Sequence, residues 1–179
     1  MNGEREQERE RVRNRLLGRG LTLKPLDTGA SNGGWPDAGL DLELARDTAG
    51  RRDLTFVSGM DCLVQDLTVA LTTALGSDLF NTAFGFDGVR AMAEESNPLL
   101  VRERVRVSVI DVLRRETRVR RIVDVKFDDE RLDRPVSAGS SRSLRVRVVF
   151  ETVTGDSLSV EVGSLAGIDR LPVGGANGG

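Results

Sequence analysis

The sequence predicts an α+β fold: two main helices pack on a small antiparallel β-sheet that ends in a C-terminal hairpin, and an extended N-terminal arm precedes them. Three observations predict this fold. Apolar residues recur at three- and four-residue spacing over 63–75, as on one face of a helix. Asn97 and Pro98 match the cap and the first position of a second long helix. Apolar and polar residues alternate over 144–150 and 158–162, as in half-buried strands.

The first main helix is predicted to follow Ser58, because Ser58 and Asp61 resemble an N-cap with an acid in the first turn. Gly76 supplies a C-terminal stop. The second helix is predicted to end near Arg115; its segment "VRVSVI" also alternates like a strand, but the cap, the length and the ending "IDVLRRE" favour a helix. The inward stripes are predicted to be Leu63, Val64, Leu67, Ala70, Leu71, Ala74 and Leu75 in the first helix, and Val101, Val105, Val109 or Ser108, Val112 and Leu113 in the second.

Strands are predicted from residue 119 onward. In "VRRIVDVKF", Val119, Val123, Val125 and Phe127 are expected on one face. Residues 143–151 and 157–162 are expected to form the hairpin, joined by the turn signal "TGD" at 154–156. A two-stranded ribbon is marginal by itself, and its open edge invites another strand.

The chain of 179 residues is predicted to have three parts. Residues 1–53 form an N-terminal arm and loop that become ordered on a partner, 54–163 form the core domain, and 164–179 form a flexible Gly-rich tail. The arm begins as a solvated, partly helical segment dense in Glu and Arg. Its loop "DTGASNGGWPDAG" clusters turn-forming residues around Trp35, which is expected to insert into its own core or into a partner.

The composition excludes several kinds of catalytic and metal-binding site. There is no His, which removes the usual general base and most zinc sites, and no cofactor motif occurs. The single Cys62 is expected to be a small packed side chain. No apolar run approaches the roughly 20 residues that cross a bilayer, and the N-terminus lacks the apolar core of a signal peptide. A cytoplasmic protein that does not insert into membranes is therefore expected.

Residues 102–121 hold eight Arg against three acids, which on a helix makes a basic face. A nucleic-acid interface is one interpretation, but the net charge of −2 and the missing Tyr favour protein contacts. Glu116-Thr117-Arg118 is expected where the second helix ends and a strand begins. Either Glu116 and Arg118 form a local pair that closes the helix, or they converge on the backbone of a neighbouring protein.

Taken together, "QDLTVALTTALGSDLFNTAFGFD", "LLVRERVRVSVIDVLRRETRVRRIVDVKF" and the terminal hairpin resemble the lysozyme-like baseplate wedge family. Its members occur in contractile phage tails, in the type VI secretion baseplate and in phage-like extracellular injection systems. Glu116 and Arg118 match the outer members of the family's Glu-Pro-Arg motif, while Thr117 replaces the Pro. The resemblance covers roughly residues 54–163. The other matching positions are Gln65-Asp66-Leu67, Leu71-Thr72, Gly76-Ser77-Asp78 and Phe84-Gly85.

The resemblance implies a structural subunit without enzyme activity that links the baseplate wedge to the first sheath ring. It implies as partners other wedge proteins, a first-ring sheath subunit and spike or hub proteins, with multiple copies in a symmetric particle. The expected site residues are Glu116 and Arg118 at the wedge interface, Asp78, Phe80, Phe84 and Phe86 in a docking loop at 76–88, and Arg145, Val146, Arg147 and Val160 in a hairpin that accepts a sheath strand. Two alternatives from the residues alone are a peptidoglycan-acting hydrolase that uses carboxylates and an Arg-rich nucleic-acid-binding module.

Overall fold

A computed structural model describes residues 2–25, 40–128 and 145–162, and it confirms the predicted α+β fold. The chain forms two compact units, Met1–Asp66 and Leu67–Gly179. Trp35 and the tail at 164–179 lie outside the described residues, so the predictions made for them stay predictions. The boundary predicted between residues 53 and 54 falls inside a strand of the first unit.

The first unit begins with helix α1, Asn2–Leu17. Most of its side chains are exposed, in keeping with a sequence dense in charges, and Arg11 lies 3.9 Å from Glu8 one turn earlier. Leu17, the last residue of the helix, is fully buried. Gly18, at φ 90, then turns the chain out of the helix, a backbone conformation that Gly adopts without a steric penalty.

Six short strands follow: β1 Arg19–Leu21, β2 Leu23–Pro25, β3 Leu40–Leu42, β4 Leu44–Arg46, β5 Arg52–Leu54 and β6 Phe56–Ser58. β1 pairs with β6, β2 with β3, and β4 with β5, all antiparallel. One residue separates β1 from β2, β3 from β4 and β5 from β6. Three extended stretches, 19–25, 40–46 and 52–58, therefore each pair with both of the others, and we call this arrangement the three-way junction.

Three backbone hydrogen bonds close a ring at the centre of the three-way junction. The N–H of Thr22 donates to the carbonyl of Thr55 (3.0 Å), the N–H of Thr55 donates to Glu43 (3.1 Å), and the N–H of Glu43 donates to Thr22 (2.9 Å). The residue at which each stretch changes its partner therefore keeps its backbone N–H satisfied. The Thr55 hydroxyl adds a 3.0 Å bond to the Glu43 carboxylate.

Helix α2, Met60–Thr72, begins after Gly59 at φ 66. The predicted apolar stripe is present, with Cys62 and three leucines buried. The Gln65 amide accepts from the N–H of Leu23 and donates to the carbonyl of Leu21, both at 2.8 Å, so it occupies the position that a neighbouring strand would take. The buried leucines are Leu63, Leu67 and Leu71.

The helix ends four residues before the predicted stop. The Thr72 and Thr73 hydroxyls bond back to carbonyls of the preceding turn (2.8 and 2.7 Å), an interaction that competes with helix continuation. Ala74 then forms a parallel bridge with Phe86. Ala74 and Leu75, expected on the buried stripe, are therefore outside the helix and exposed.

Helix α3, Gly88–Glu94, is followed by α4, Pro98–Arg115. The α4 prediction is confirmed: the Asn97 side chain accepts from the N–H of Leu99 at 3.0 Å, and Pro98 occupies the first turn. The buried residues of α4 follow the predicted stripe and are Val105, Val109, Val112 and Leu113.

The C-terminal sheet has three strands: β7 Val119–Asp128, β8 Arg145–Thr152 and β9 Ser157–Val162. Their order is β7-β8-β9, so the expected hairpin gains β7 as a third strand and β8 becomes central. Two register shifts leave Arg120 and Val123 as extra residues in β7. The bulge turns Val123 outward, to 53% exposure, so the prediction that it shares one face with Val119, Val125 and Phe127 was wrong.

Candidate docking surfaces

The helix–strand junction between α4 and β7 is built on a salt bridge between Glu116 and Arg118. The guanidinium donates to both carboxylate oxygens, at 2.7 and 2.6 Å, and the Arg118 N–H also donates to the carboxylate at 3.1 Å. Both side chains are only 19% exposed. The backbone N–H of Glu116 donates to the carbonyl of Leu113 at 3.3 Å, so the pair lies directly at the C-terminal end of α4.

Hydrogen bonds from Arg118 hold the pKa of Glu116 below its ordinary value, against the opposing effect of partial burial. The carboxylate is therefore ionised at neutral pH. This geometry is the local pair that the sequence left as one of two alternatives, and the wedge-interface role remains a prediction for the outer surface of the pair.

The docking loop, residues 76–88, is closed by backbone bonds to the end of α2. The N–H of Phe86 donates to Thr73 (2.8 Å), and the N–H of Leu75 donates to Phe86 (3.1 Å). Gly85 makes this approach possible: at φ 109, a Cβ on it would lie 2.7 Å from the carbonyl oxygen of Thr73. The loop is thus anchored at its base by main-chain contacts.

The four predicted loop residues separate into a base and a tip. Phe86 is buried, at 6% exposure, and Phe84 is half-buried. Phe80 is fully exposed, with Leu79 beside it at 87% exposure. The Asp78 carboxylate accepts from the N–H of Phe80 at 2.9 Å and shapes the tip. Only the tip presents apolar side chains to a partner.

The junction and the loop are neighbours. Arg115, the last residue of α4, donates a hydrogen bond to the carbonyl of Ala83 in the docking loop. The carbonyl of Arg118 accepts from the N–H of Val153 at 2.9 Å, in the turn between β8 and β9. Two of the three predicted sites, together with this turn, therefore meet around the C-terminal end of α4.

A groove of about 360 Å³ beside the docking loop was not anticipated from the sequence. Its lining includes apolar side chains, three carboxylates and two guanidinium groups: Leu75, Val107, Val112, Asp87, Glu103, Asp111, Arg104 and Arg115. Glu103, Val107 and Asp111 are spaced four residues apart and therefore lie on one face of α4. This spacing is the feature of the sequence from which the groove could have been predicted. The groove therefore presents apolar side chains together with charges of both signs.

Of the predicted hairpin residues, Arg145, Val146 and Arg147 lie at the start of β8, and Val160 lies within β9 opposite Val148. Val146, Val148 and Val160 are buried on the inner face. On the other face Arg147 pairs with Glu161 at 3.4 Å. Arg145 is the first residue of β8, so it and Val146 lie about 20 Å along the strand from the β8–β9 turn.

The hydrogen-bonding pattern identifies which groups of β9 face outward. The N–H of Thr152 donates to Asp156 (2.9 Å) across the turn. Thr152 and Asp156 are therefore a hydrogen-bonded pair. Because hydrogen-bonded and non-hydrogen-bonded pairs alternate in an antiparallel ladder, the next hydrogen-bonded pairs are Phe150 with Leu158 and Val148 with Val160. The N–H groups that point away from β8 belong to Ser157, Ser159 and Glu161.

The two edges of this sheet differ. β7 carries two bulges and a row of charges, which are features that discourage further pairing. β9 runs without a register shift over six residues. Its central residues Leu158, Ser159 and Val160 are buried on both faces, and the Ser159 hydroxyl has no hydrogen-bond partner. Within the described ranges, no strand pairs with the outer edge of β9.

Among the described residues, no group of three or more His, Cys, Asp or Glu is placed to hold a metal ion. The carboxyl groups whose pKa shifts clearly, Asp47, Glu94 and Glu116, all shift downward because of hydrogen bonds to arginine. None of the described helices combines the length and the apolar composition needed to cross a membrane.

No model of a known protein family matches the chain, and no curated protein matches it.

Proposed function

We propose that this protein is a structural, non-enzymatic subunit of the baseplate of a contractile injection machine or phage tail, and that it links the wedge to the first ring of the sheath. The subunit is present in several copies of a symmetric particle assembled in the cytoplasm. Its partners are other wedge proteins and a first-ring sheath subunit, with spike or hub proteins nearby. The proposal begins from the motif order between residues 54 and 163.

The regular, open edge of β9 carries the proposal. A strand with both faces covered can make new contacts only through its backbone edge, and an added strand satisfies the outward N–H groups. β9 has such an edge, whereas the bulges of β7 hinder pairing on the other side. A sheath strand added to β9 would gain main-chain hydrogen bonds at every second residue.

The tip of the docking loop supports a second contact. Leu79 and Phe80 expose large apolar side chains on a loop whose base is held by backbone bonds, so little conformational entropy is lost when a partner covers them. The groove beside the loop adds apolar side chains and charges of both signs. In the proposal, wedge proteins occupy this side of the second unit.

A proline substitution tests the role of the β9 edge. Ser159→Pro removes an N–H that points away from β8 and leaves the β7-β8-β9 ladder intact. Proline at Val146 or Val160 would instead break bonds inside the sheet, so those sites do not test the edge. In the organism that carries the gene, Ser159→Pro is expected to yield baseplates without sheath, as seen by electron microscopy of purified particles.

Glu161→Pro repeats the test on the next outward N–H. Thr48→Pro is the matched control, because Thr48 lies in a turn closed by a bond from the N–H of Gly50 to Asp47, where proline is compatible. Sheath of normal length on baseplates that carry Ser159→Pro or Glu161→Pro would refute strand addition at β9. Particles that assemble normally without the protein would refute the baseplate function itself.

A further inference from the structure

The three-way junction has one apolar face. Residues opposite each other on paired strands share a face, and side chains alternate along a strand. The cross-strand pairs next to the centre are Leu21 with Phe56, Leu23 with Leu42, and Leu44 with Leu54. All six therefore lie on one face, opposite Thr22, Glu43 and Thr55, and we call them the leucine ring.

Four of the six side chains of the leucine ring are exposed to solvent, and Leu21 and Leu23 are half-buried. Leu42, Leu44, Leu54 and Phe56 are between 36% and 56% exposed. Leu40 continues the same face from β3 and is 43% exposed. Single exposed leucines are ordinary on a protein surface, but a contiguous exposed apolar group is a feature of interaction sites.

The charged groups on this face are all basic. By the same alternation Arg19, Arg46 and Arg52 share the face of the leucine ring, and Arg19 stacks on Phe56 at 4.1 Å. Arg46 and Arg52 are direct cross-strand partners, an arrangement in which like charges repel. Arg46 also donates to the carbonyl of Gly50 at 3.1 Å. The acids of the junction, Asp41, Glu43 and Asp53, lie on the opposite face.

We propose that the leucine ring binds an acidic amphipathic segment of a partner protein. Apolar side chains of the segment would cover the ring, and a carboxylate between Arg46 and Arg52 would relieve their repulsion through charge-assisted hydrogen bonds. This complementarity fixes the occupant as apolar and acidic. The site lies in the first unit and does not depend on the baseplate proposal, which rests on residues of the second unit.

Selection from a displayed library of random peptides on the full-length chain tests the proposal. The selected peptides are expected to combine apolar residues with Asp or Glu. They should bind Leu44→Ser/Leu54→Ser at least about tenfold more weakly than the unchanged protein. Both leucines are exposed in the native fold, so their replacement removes contact surface without opening a core cavity.

A charge-reversal variant tests the proposal without any change to the leucines. Arg46→Glu/Arg52→Glu keeps two like charges opposite each other but inverts their sign. It should lose the acidic peptides and prefer the same peptides with Lys in place of Asp and Glu. Arg5→Glu/Arg9→Glu, with the same change of net charge on the exposed face of α1, should bind like the unchanged protein.

Three outcomes would overturn the proposal. One is a set of selected peptides without acidic bias, or with undiminished binding to Leu44→Ser/Leu54→Ser. A second is sedimentation with phosphatidylserine vesicles that this variant abolishes, which would assign the face to a membrane surface. The third is a dimer in analytical ultracentrifugation that the variant dissociates, which would assign the face to a second copy of the chain.

Discussion

Glu116 and Arg118 illustrate how one pair of side chains shapes a change of secondary structure. α4 ends where Glu116 takes an extended conformation, and the bonds from Arg118 to Glu116 span the bend that follows. The Arg118 carbonyl accepts from Val153, so residues 116–118 also place the start of β7 beside the β8–β9 turn. Thr117, which stands where the resembled motif has Pro, is exposed between them. The bend is therefore held by an ion pair and main-chain bonds.

We expect Glu116→Gln to lower the free energy of unfolding by about 1 kcal/mol at pH 7, a value reduced by the partial exposure of the pair. Because the folded-state pKa lies below the ordinary 4.5, the contribution is full above about pH 4.5. It disappears as the pH falls through the folded-state pKa. Urea denaturation of both proteins across this range measures it, and a difference that grows toward acid pH would contradict the assignment.

Gly85 is expected to tolerate no side chain. Gly85→Ala should destabilise the protein by about 3 kcal/mol, because the added Cβ meets the Thr73 and Ala74 backbone and the backbone has positive φ. Gly155→Ala is the matched control: its φ is 86 but nothing lies near the added Cβ, so it should cost only about 1 kcal/mol. Equal melting temperatures for the two variants would show that the backbone of Thr73 and Ala74 moves to accommodate the added Cβ.

Residue-level predictions from the sequence succeeded where the neighbours are local. The Asn97 cap and the Glu116–Arg118 pair involve partners two residues apart, so spacing alone identifies them. The separation of Phe86 from Phe80 was not predictable, because the bridge to Ala74 that buries Phe86 is a contact across the loop. Loop residues have no periodicity from which burial can be read.

Among the elements, α2, α4 and the C-terminal strands were predictable because hydrophobic periodicity and caps act over many residues. The six strands of the three-way junction were not. Each has three residues, and their pairing partners lie far apart in the chain, so neither propensity nor alternation identifies them. The bulges of β7 were also missed. An inserted residue changes which side chains of the strand face inward, but it leaves the composition of the strand unchanged.

The tip of the docking loop should be dispensable for folding. We expect Leu79→Ser/Phe80→Ser to change the free energy of unfolding by less than about 0.5 kcal/mol, because both side chains are already in water. The same change should prevent incorporation into baseplates. Phe86→Ala, in contrast, should cost about 3–5 kcal/mol.

Val123→Ser is the matched control for the loop variant. Val123 is an exposed apolar residue on the bulge of β7, away from the docking loop in sequence, and its replacement should leave particle yield unchanged. Normal incorporation of the Leu79→Ser/Phe80→Ser protein would show that the tip is not a wedge contact.

For the molecule as a whole, we expect binding without catalysis. Purified protein should not clear a suspension of peptidoglycan, and it should not bind DNA or RNA at physiological salt, because 26 basic side chains are balanced by 28 acids. Turbidity and filter-binding measurements check both. Clearing that depends on one or two particular carboxylates, or binding that falls steeply with salt, would overturn the structural assignment.

The three-way junction has a branch point, as a junction of three nucleic-acid duplexes does. Any two of its stretches alone could continue as an antiparallel pair. Stretches 19–25 and 52–58, for example, would place Leu23 opposite Leu54, and stretch 40–46 would be displaced. That migration gives up two apolar pairs, Leu23–Leu42 and Leu44–Leu54, for one new pair, so the branch stays at Thr22, Glu43 and Thr55. The amide protons of these three residues, though remote in the chain, should therefore lose protection from hydrogen exchange together, at the rate at which the branch opens.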